Sequence, residues 1–353
     1  MTEPTDLLRA LRLQAAGCGR LGSPFYEALL GRIADDVEAG GPVTALLQPW
    51  LEASFRQLFD DAVMLRVANA FNHLALGEAA PALAAVWPRR DRAWDIGVVW
   101  AAARAEITRH FDQLAAFMTH EPQTNEVRRS IALIGGFLTV AAETGLPLRS
   151  FEIGASAGLN QYWDRFHYDF GAGRWGDANA SVRIDAEWSG DLPPLVPIRV
   201  IERGACDRRP TDLRDLAQCG RLLACIWPDQ FDRLERSRAA IDLALASGAS
   251  VETADALDWT RARVAPQTGT ATVLFHSVFW QYLPAETQAG LKAEIERIGD
   301  TATPDAPFAW LAMEPTPGDM TVMQIRLRLW PGGEERILAQ THPHGSTVRW
   351  LGG

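Results

Sequence analysis

Around residue 145 the chain changes character, and that change limits its fold more than any other feature of the sequence. From the start to about Gly145 the pattern is helical: Ile107, Phe111, Leu114, Ala115 and Met118 fall on one face at helical spacing, and strand-like alternation is nearly absent. Beyond it, short runs rich in β-formers ("RSFEIG", "IRVIERGACD", "SVETAD", "ATVLFHS", "FAWLAMEP") alternate with helical stretches. Such alternation predicts βαβ units and a mainly parallel sheet. The expected organisation is therefore an all-helical N-terminal domain, residues 1–122, followed by an α/β domain, residues 123–353. A breaker at Pro122, an N-cap at Thr124, an acid in the first turn at Glu126 and a stop at Gly145 outline the helix that leads into the first strand. Residues 166–197, rich in Gly, Trp and Asp, read as an insertion between the first two strands, and "MQIRLRLW-PGG-ERILAQTH" predicts a C-terminal β-hairpin at or near one sheet edge.

Composition narrows the partners. A net charge of −10 with no long basic run argues against binding a phosphate backbone, which needs clustered Lys and Arg. The four cysteines form no C-x-x-C pair, so reduced thiols are expected rather than a zinc or redox motif. The N-terminus lacks the basic start and apolar run of a signal peptide, and the longest apolar stretch, Ile131 to Ala142, falls short of the ~20 residues a membrane span needs. A cytoplasmic protein acting on a small molecule, with no membrane or nucleic-acid partner, is the expectation.

Residues 151–160 read "FEIGASAGLN", and two incompatible chemistries share that string. As G-x-S-x-G it matches the nucleophile elbow of a serine hydrolase, with Ser156 attacking. With Glu152 in front, it is a strand end followed by a turn in which Gly154 and Gly158 let the backbone approach a nucleotide-like cofactor. An elbow belongs after several strands, whereas here helices come first, and the elbow leaves Glu152 unexplained. Downstream strands favour the cofactor turn. "IRVIE" leads to Asp207, placed to accept from two ribose hydroxyls, although the proposed insertion puts it much further along than the usual ~20 residues. "SVET" leads to Asp255, where a carboxylate could meet an adenine amino group, or equally cap the next helix. "TVLFHS" ends at His276 and Ser277, at the carboxyl edge where ligands sit in open α/β sheets.

This arrangement resembles the class I S-adenosylmethionine-dependent methyltransferases, with Glu152, Gly154, Ser156 and Gly158 as the acid-glycine loop, Asp207 as the ribose acid and Asp255 on the adenine side. The resemblance implies a Rossmann-like methyltransferase-type domain with S-adenosylmethionine as cofactor; Ser277, from its place at a strand's carboxyl end, is a further cofactor-side candidate. Ser156, where the family pattern has a glycine, and the long insertion depart from that family. A resemblance spanning almost the whole chain is carried by "PQTNEVRRS", "EIGASAGLN", "WDRFHYDFG", "IWPDQ", "VLFHSVFWQYLP" and "HPHG", which look like the hallmark segments of a bacterial family catalogued as domain of unknown function 2332.

Other residues compete for roles around the crevice. His276 suits acid-base work, because imidazole titrates near neutral pH, although a buried hydrogen-bonded histidine is its structural alternative. Gln123, Asn125 and Glu126 form a polar cluster before the first strand that could select substrate or simply start a helix. Asn160, Trp280, Tyr282 and Glu314 are further substrate-side candidates. His342 and His344 have a metal-compatible spacing but no third ligand, so no metal is expected. The expected function is S-adenosylmethionine-dependent methyl transfer to a small acceptor. The alternatives are a non-catalytic metabolite- or protein-binding module on the same fold, and a serine hydrolase using Ser156.

Overall fold

The chain begins as helices: α1 (Asp6–Arg20), α2 (Pro24–Glu38), α3 (Val43–Leu46), α4 (Phe55–Asp60), α5 (Val63–Leu76), α6 (Pro81–Val86), α7 (Ile96–Arg109) and α8 (Phe111–Met118). The computed structural model describes residues 5–352. It divides the chain into two units, one running to Thr124 and adding Arg214–Glu235, the other comprising Asn125–Leu213 and the chain from Arg236 onward. The helical unit thus takes in a segment that a simple division at residue 122 leaves with the second domain.

Local signals start the first helices. Thr5 Oγ1 accepts from Leu8 N, and Ser23 Oγ accepts from Tyr26 N with Pro24 in the first turn, each satisfying an otherwise orphaned helical N–H. Phe25, Tyr26, Leu29, Ile33 and Phe71 fill the core of this unit. Helix α10 (Leu216–Ala224) belongs to it as well. Buried Asn72 holds the returning segment: its Nδ2 donates to the carbonyls of Ala224 and Ile226, and its Oδ1 accepts from Trp87 Nε1. Asp229 does the same from the other side, accepting from Ser23 Oγ and Phe25 N. The expected single face through Ile107 and Met118 is corrected: the helix breaks at His110, and Phe111 is exposed.

The second unit is built on a sheet. Helix α9 (Ser130–Thr144) ends at Gly145 in the left-handed conformation (φ 65°), as expected, but Thr124 is not its cap. A 3-10 turn, Val127–Arg129, precedes it, with Glu126 Oε1 accepting from Arg128 N. The strands are β1 (Leu148–Ile153), β2 (His167–Asp169), β3 (Arg174–Trp175), β4 (Arg183–Asp185), β5 (Glu187–Ser189), β6 (Val200–Asp207), β7 (Glu252–Thr253), β8 (Ala271–Ser277), β9 (Phe308–Thr316), β10 (Asp319–Trp330), β11 (Glu335–Thr341) and β12 (Thr347–Trp350). Helices α11 (Phe231–Ala246), α12 (Ala256–Arg263) and α13 (Ala285–Gly299) connect the later ones.

Nine strands form one sheet in the order β5-β12-β11-β10-β9-β8-β1-β6-β7. Strands β7, β6, β1, β8 and β9 run parallel, while β9 to β12 pair antiparallel. The expected hairpin is β10–β11, but it lies inside the sheet, because β12 and then β5, pairing parallel with β12, continue beyond it. The rest of the insertion forms a small sheet, β3-β2-β4. Helix α9 lies so close to the large sheet that a Cβ at Gly135 would overlap the Trp350 ring, and one at Gly136 the Leu311 side chain. Phe151 and Ile153 of β1 pack instead with Trp259 of α12 and with Leu291 and Ile295 of α13.

Candidate functional site

The chain leaves β1 towards β6 on one side of the sheet order and later returns to β8 on the other. The carboxyl end of β1 is therefore a topological switch point, the place where open α/β sheets leave a crevice for ligands. Residues 154–158 follow it directly. Gly154, Ser156 and Gly158 all have positive φ (66°, 55° and 72°), so left-handed residues alternate through the loop. A Cβ at Gly154 would overlap the Phe279 ring, and one at Gly158 would overlap Gln161 and Val251, so glycine is required at both places by close packing as well as by φ.

Asp207 at the end of β6 fixes the loop. Its Oδ2 accepts from Ser156 N at 2.8 Å and its Oδ1 from Arg209 N at 2.8 Å, while Ala155 N donates to Cys206 O at 3.1 Å. On the other side Asn125 Oδ1 accepts from Leu159 N at 2.8 Å, and Asn160 Nδ2 donates to Glu126 O at 3.3 Å. Asn125, Glu126 and Asn160 are thus brought together as a clamp on the loop. Gln123 is not among them, since it lies in the helical unit beside Cys225.

Three buried polar atoms along this stretch lack a hydrogen-bond partner among the described residues: Glu152 Oε2, Ser156 Oγ and Asn160 Oδ1. Buried polar groups without partners are rare and costly, so three within nine residues mark a place that polar ligand atoms would complete. Burial, with the charge of nearby Asp207 adding to it, pushes the Glu152 carboxyl well above the usual carboxylate range, towards its neutral form. Asp255 is exposed and caps α12, accepting from Leu257 N at 2.9 Å and Asp258 N at 3.4 Å.

The turn after β8 is organised by one carboxylate oxygen. Glu314 Oε1 accepts from His276 Nδ1 (2.7 Å), Phe279 N (2.9 Å) and Trp280 N (3.1 Å), and Val278 between them has φ 50°. Burial works against ionising Glu314, but these donors outweigh it and hold the carboxyl below its ordinary range. Trp310 Nε1 donates to His276 Nε2 at 3.0 Å. An indole N–H can only donate, which makes Nε2 the acceptor and leaves the proton on Nδ1. His276, 1% exposed, therefore has no free lone pair with which to take a substrate proton. Tyr282 is 75% exposed and is not part of the crevice lining beside this turn, while the Ser277 carbonyl accepts from Arg129 Nη1 at 3.4 Å.

A crevice of about 400 Å³ opens beside this turn, lined by His276, Trp280, Trp310, Glu314, Arg326 and Lys292 among others. Sequence reasoning overlooked Phe279, Trp310, Lys292 and Arg326. A signal existed for two of them: Lys292 is the only lysine in the chain, and alternation in "IRLRLW" puts Arg326 and Arg328 on one strand face.

The hydrolase reading has one of the two hydrogen bonds of its triad, between Glu314 and His276. The second, from serine to histidine, is missing, because Trp310 occupies Nε2 and Ser156 Oγ has no hydrogen-bond partner among the described residues. His342 and His344 bond to one another through His344 N and His342 Nδ1 at 3.1 Å, and His344 Nδ1 lies 3.5 Å from Glu126 Oε2. No group of three metal-ligating side chains occurs among the described residues, and no described helix is long and apolar enough to cross a membrane.

A family model described as "uncharacterized protein conserved in bacteria (DUF2332)" matches residues 9–350. No curated protein and no solved structure matches the chain.

Proposed function

We propose, from the premise that this chain belongs to the bacterial family DUF2332, that the loop at the β1–β8 switch point binds S-adenosylmethionine and that the protein is a methyltransferase acting on a small acceptor. The observation that carries the reading is the coincidence, at that one place in the sheet, of three alternating left-handed residues and three buried polar atoms without partners.

The residues fit such a ligand. Each carboxylate oxygen of Asp207 accepts one backbone N–H, leaving about one lone pair on each for a pair of ribose hydroxyls. Glu152, Ser156 and Asn160 offer polar groups along the same turn, and Phe279 supplies an apolar wall at Gly154. S-adenosylmethionine would supply an activated methyl group. The chain's own part is to position the acceptor and exclude water, because His276 is capped by Trp310 and holds no lone pair for a departing proton.

That same capping favours a second reading, in which the fold binds a metabolite without catalysis. Calorimetric titration with S-adenosylmethionine and S-adenosylhomocysteine tests what the two readings share. The expected result is saturable heat at one site per chain together with a thermal upshift. No heat and no shift with folded protein would overturn cofactor binding. The hydrolase reading lacks a Ser156–histidine contact, so a fluorophosphonate probe is expected to leave the wild type unlabelled.

A further inference from the structure

The crevice beside α13 has a charge pattern of its own. Among the described residues, Arg326 on β10 bonds only to the neutral amide oxygen of Gln324, at 3.0 and 2.8 Å, and exposed Lys292 on α13 forms no ion pair. Two cations thus line the crevice without an ion-pair partner among the described residues. Neighbouring Arg328, by contrast, is paired with Glu296 at 2.8 Å. Two acids line the same space: Glu335, which among the described residues forms no ion pair, and Glu314, whose side chain is only 9% exposed and whose buried Oε2 has no hydrogen-bond partner among them. Two part-exposed indoles, Trp280 and Trp310, stand with ring centroids 5.3 Å apart and planes tilted by 43°, and provide an angled apolar wall.

From this juxtaposition we propose that the crevice is a binding site for a small aromatic zwitterion of the α-amino-acid class, its ammonium on Glu314 Oε2, its carboxylate on Arg326 and Lys292, and its ring against Trp280 and Trp310. A plain anion would leave the buried Glu314 oxygen facing it, and a plain amine would leave both cations unanswered. A zwitterion answers both, and the indole faces suit a planar body. A crevice of about 400 Å³ also lies in the lower part of the roughly 300–1,000 Å³ range of small-molecule sites. The proposal goes beyond the cofactor reading and does not rest on it.

The test is calorimetric titration of the full chain with L-phenylalanine, phenethylamine and 3-phenylpropionate, repeated on Arg326→Gln and Lys292→Gln. Both substitutions alter side chains that hold no part of the β8 turn, and circular dichroism confirms that each variant folds. Phenylalanine is expected to bind saturably to the wild type, with the amine and the acid each about tenfold weaker or more. Each variant is expected to weaken phenylalanine about tenfold and to leave phenethylamine unchanged. Absence of phenylalanine binding to folded wild type would overturn the proposal. So would a phenylpropionate affinity equal to that of phenylalanine, or variants that bind as the wild type does.

Discussion

Gly154 and Glu152 are two residues apart and are constrained by different physics. Gly154 combines positive φ with a ring against its Cα, so Gly154→Ala carries both backbone strain and a clash with Phe279. A loss of roughly 1–3 kcal/mol in urea unfolding is expected, partly restored in Gly154→Ala/Phe279→Ala, because the second change removes the clash but not the strain. Equal losses in the single and double variants would mean that Phe279 is not what excludes the methyl group. Glu152 has a folded pKa raised above its ordinary 4.5, so the native state holds its proton more tightly than the unfolded chain does. Its contribution is complete below pH 4.5 and is lost as pH rises through the folded value, at up to about 1.4 kcal/mol per pH unit. Glu152→Gln is therefore expected to gain stability relative to wild type between pH 4.5 and 7. A difference that does not change with pH would show that Glu152 is ionised in the fold.

The element that joins the two sites is the turn after β8. Glu314 on β9 fixes both Phe279, which faces Gly154, and Trp280, which lines the crevice. His276 completes the network, and Trp310→Phe removes the indole donor to its Nε2. That leaves a buried acceptor unsatisfied, at an expected cost of roughly 1–3 kcal/mol in chemical denaturation. A neutral result would mean that water replaces the indole. This network was only partly legible in the sequence. His276 and Glu314 stood out because each lies near a strand's carboxyl end, but their bond depends on β8 and β9 being adjacent and in the register that sets His276 opposite Ala312. Helix boundaries were misread for a related reason. The apolar spacing from Ile107 to Met118 continues through His110, so periodicity alone does not mark the break.

At the scale of the whole molecule, the shift from helices to alternating strands at Gly145 was legible, because Gly145 stops α9 locally and the strand runs are short and rich in β-formers. The return of Arg214–Glu235 to the helical unit was not. Its sequence reads as an ordinary crossover, and what binds it is distant in sequence: Asn72 on Ala224 and Ile226, and Asp229 on α2. Asn72→Ala strands two carbonyls and the Trp87 N–H, so a loss of roughly 2–4 kcal/mol is expected, with faster amide exchange in α10. Unchanged exchange there would mean that the segment is held by its apolar contacts alone. The insertion also hid its structure, since β2 to β5 are two or three residues each, too short to show a period. For the proposed ligand site at the switch point, the most direct measurement is equilibrium dialysis of labelled S-adenosylhomocysteine against wild type and Asp207→Asn. One molecule retained per wild-type chain, displaced by unlabelled S-adenosylmethionine and held about tenfold more weakly by the variant, is the predicted result. No retention by folded wild type at about 1 mM ligand, or equal retention by both proteins, would contradict it.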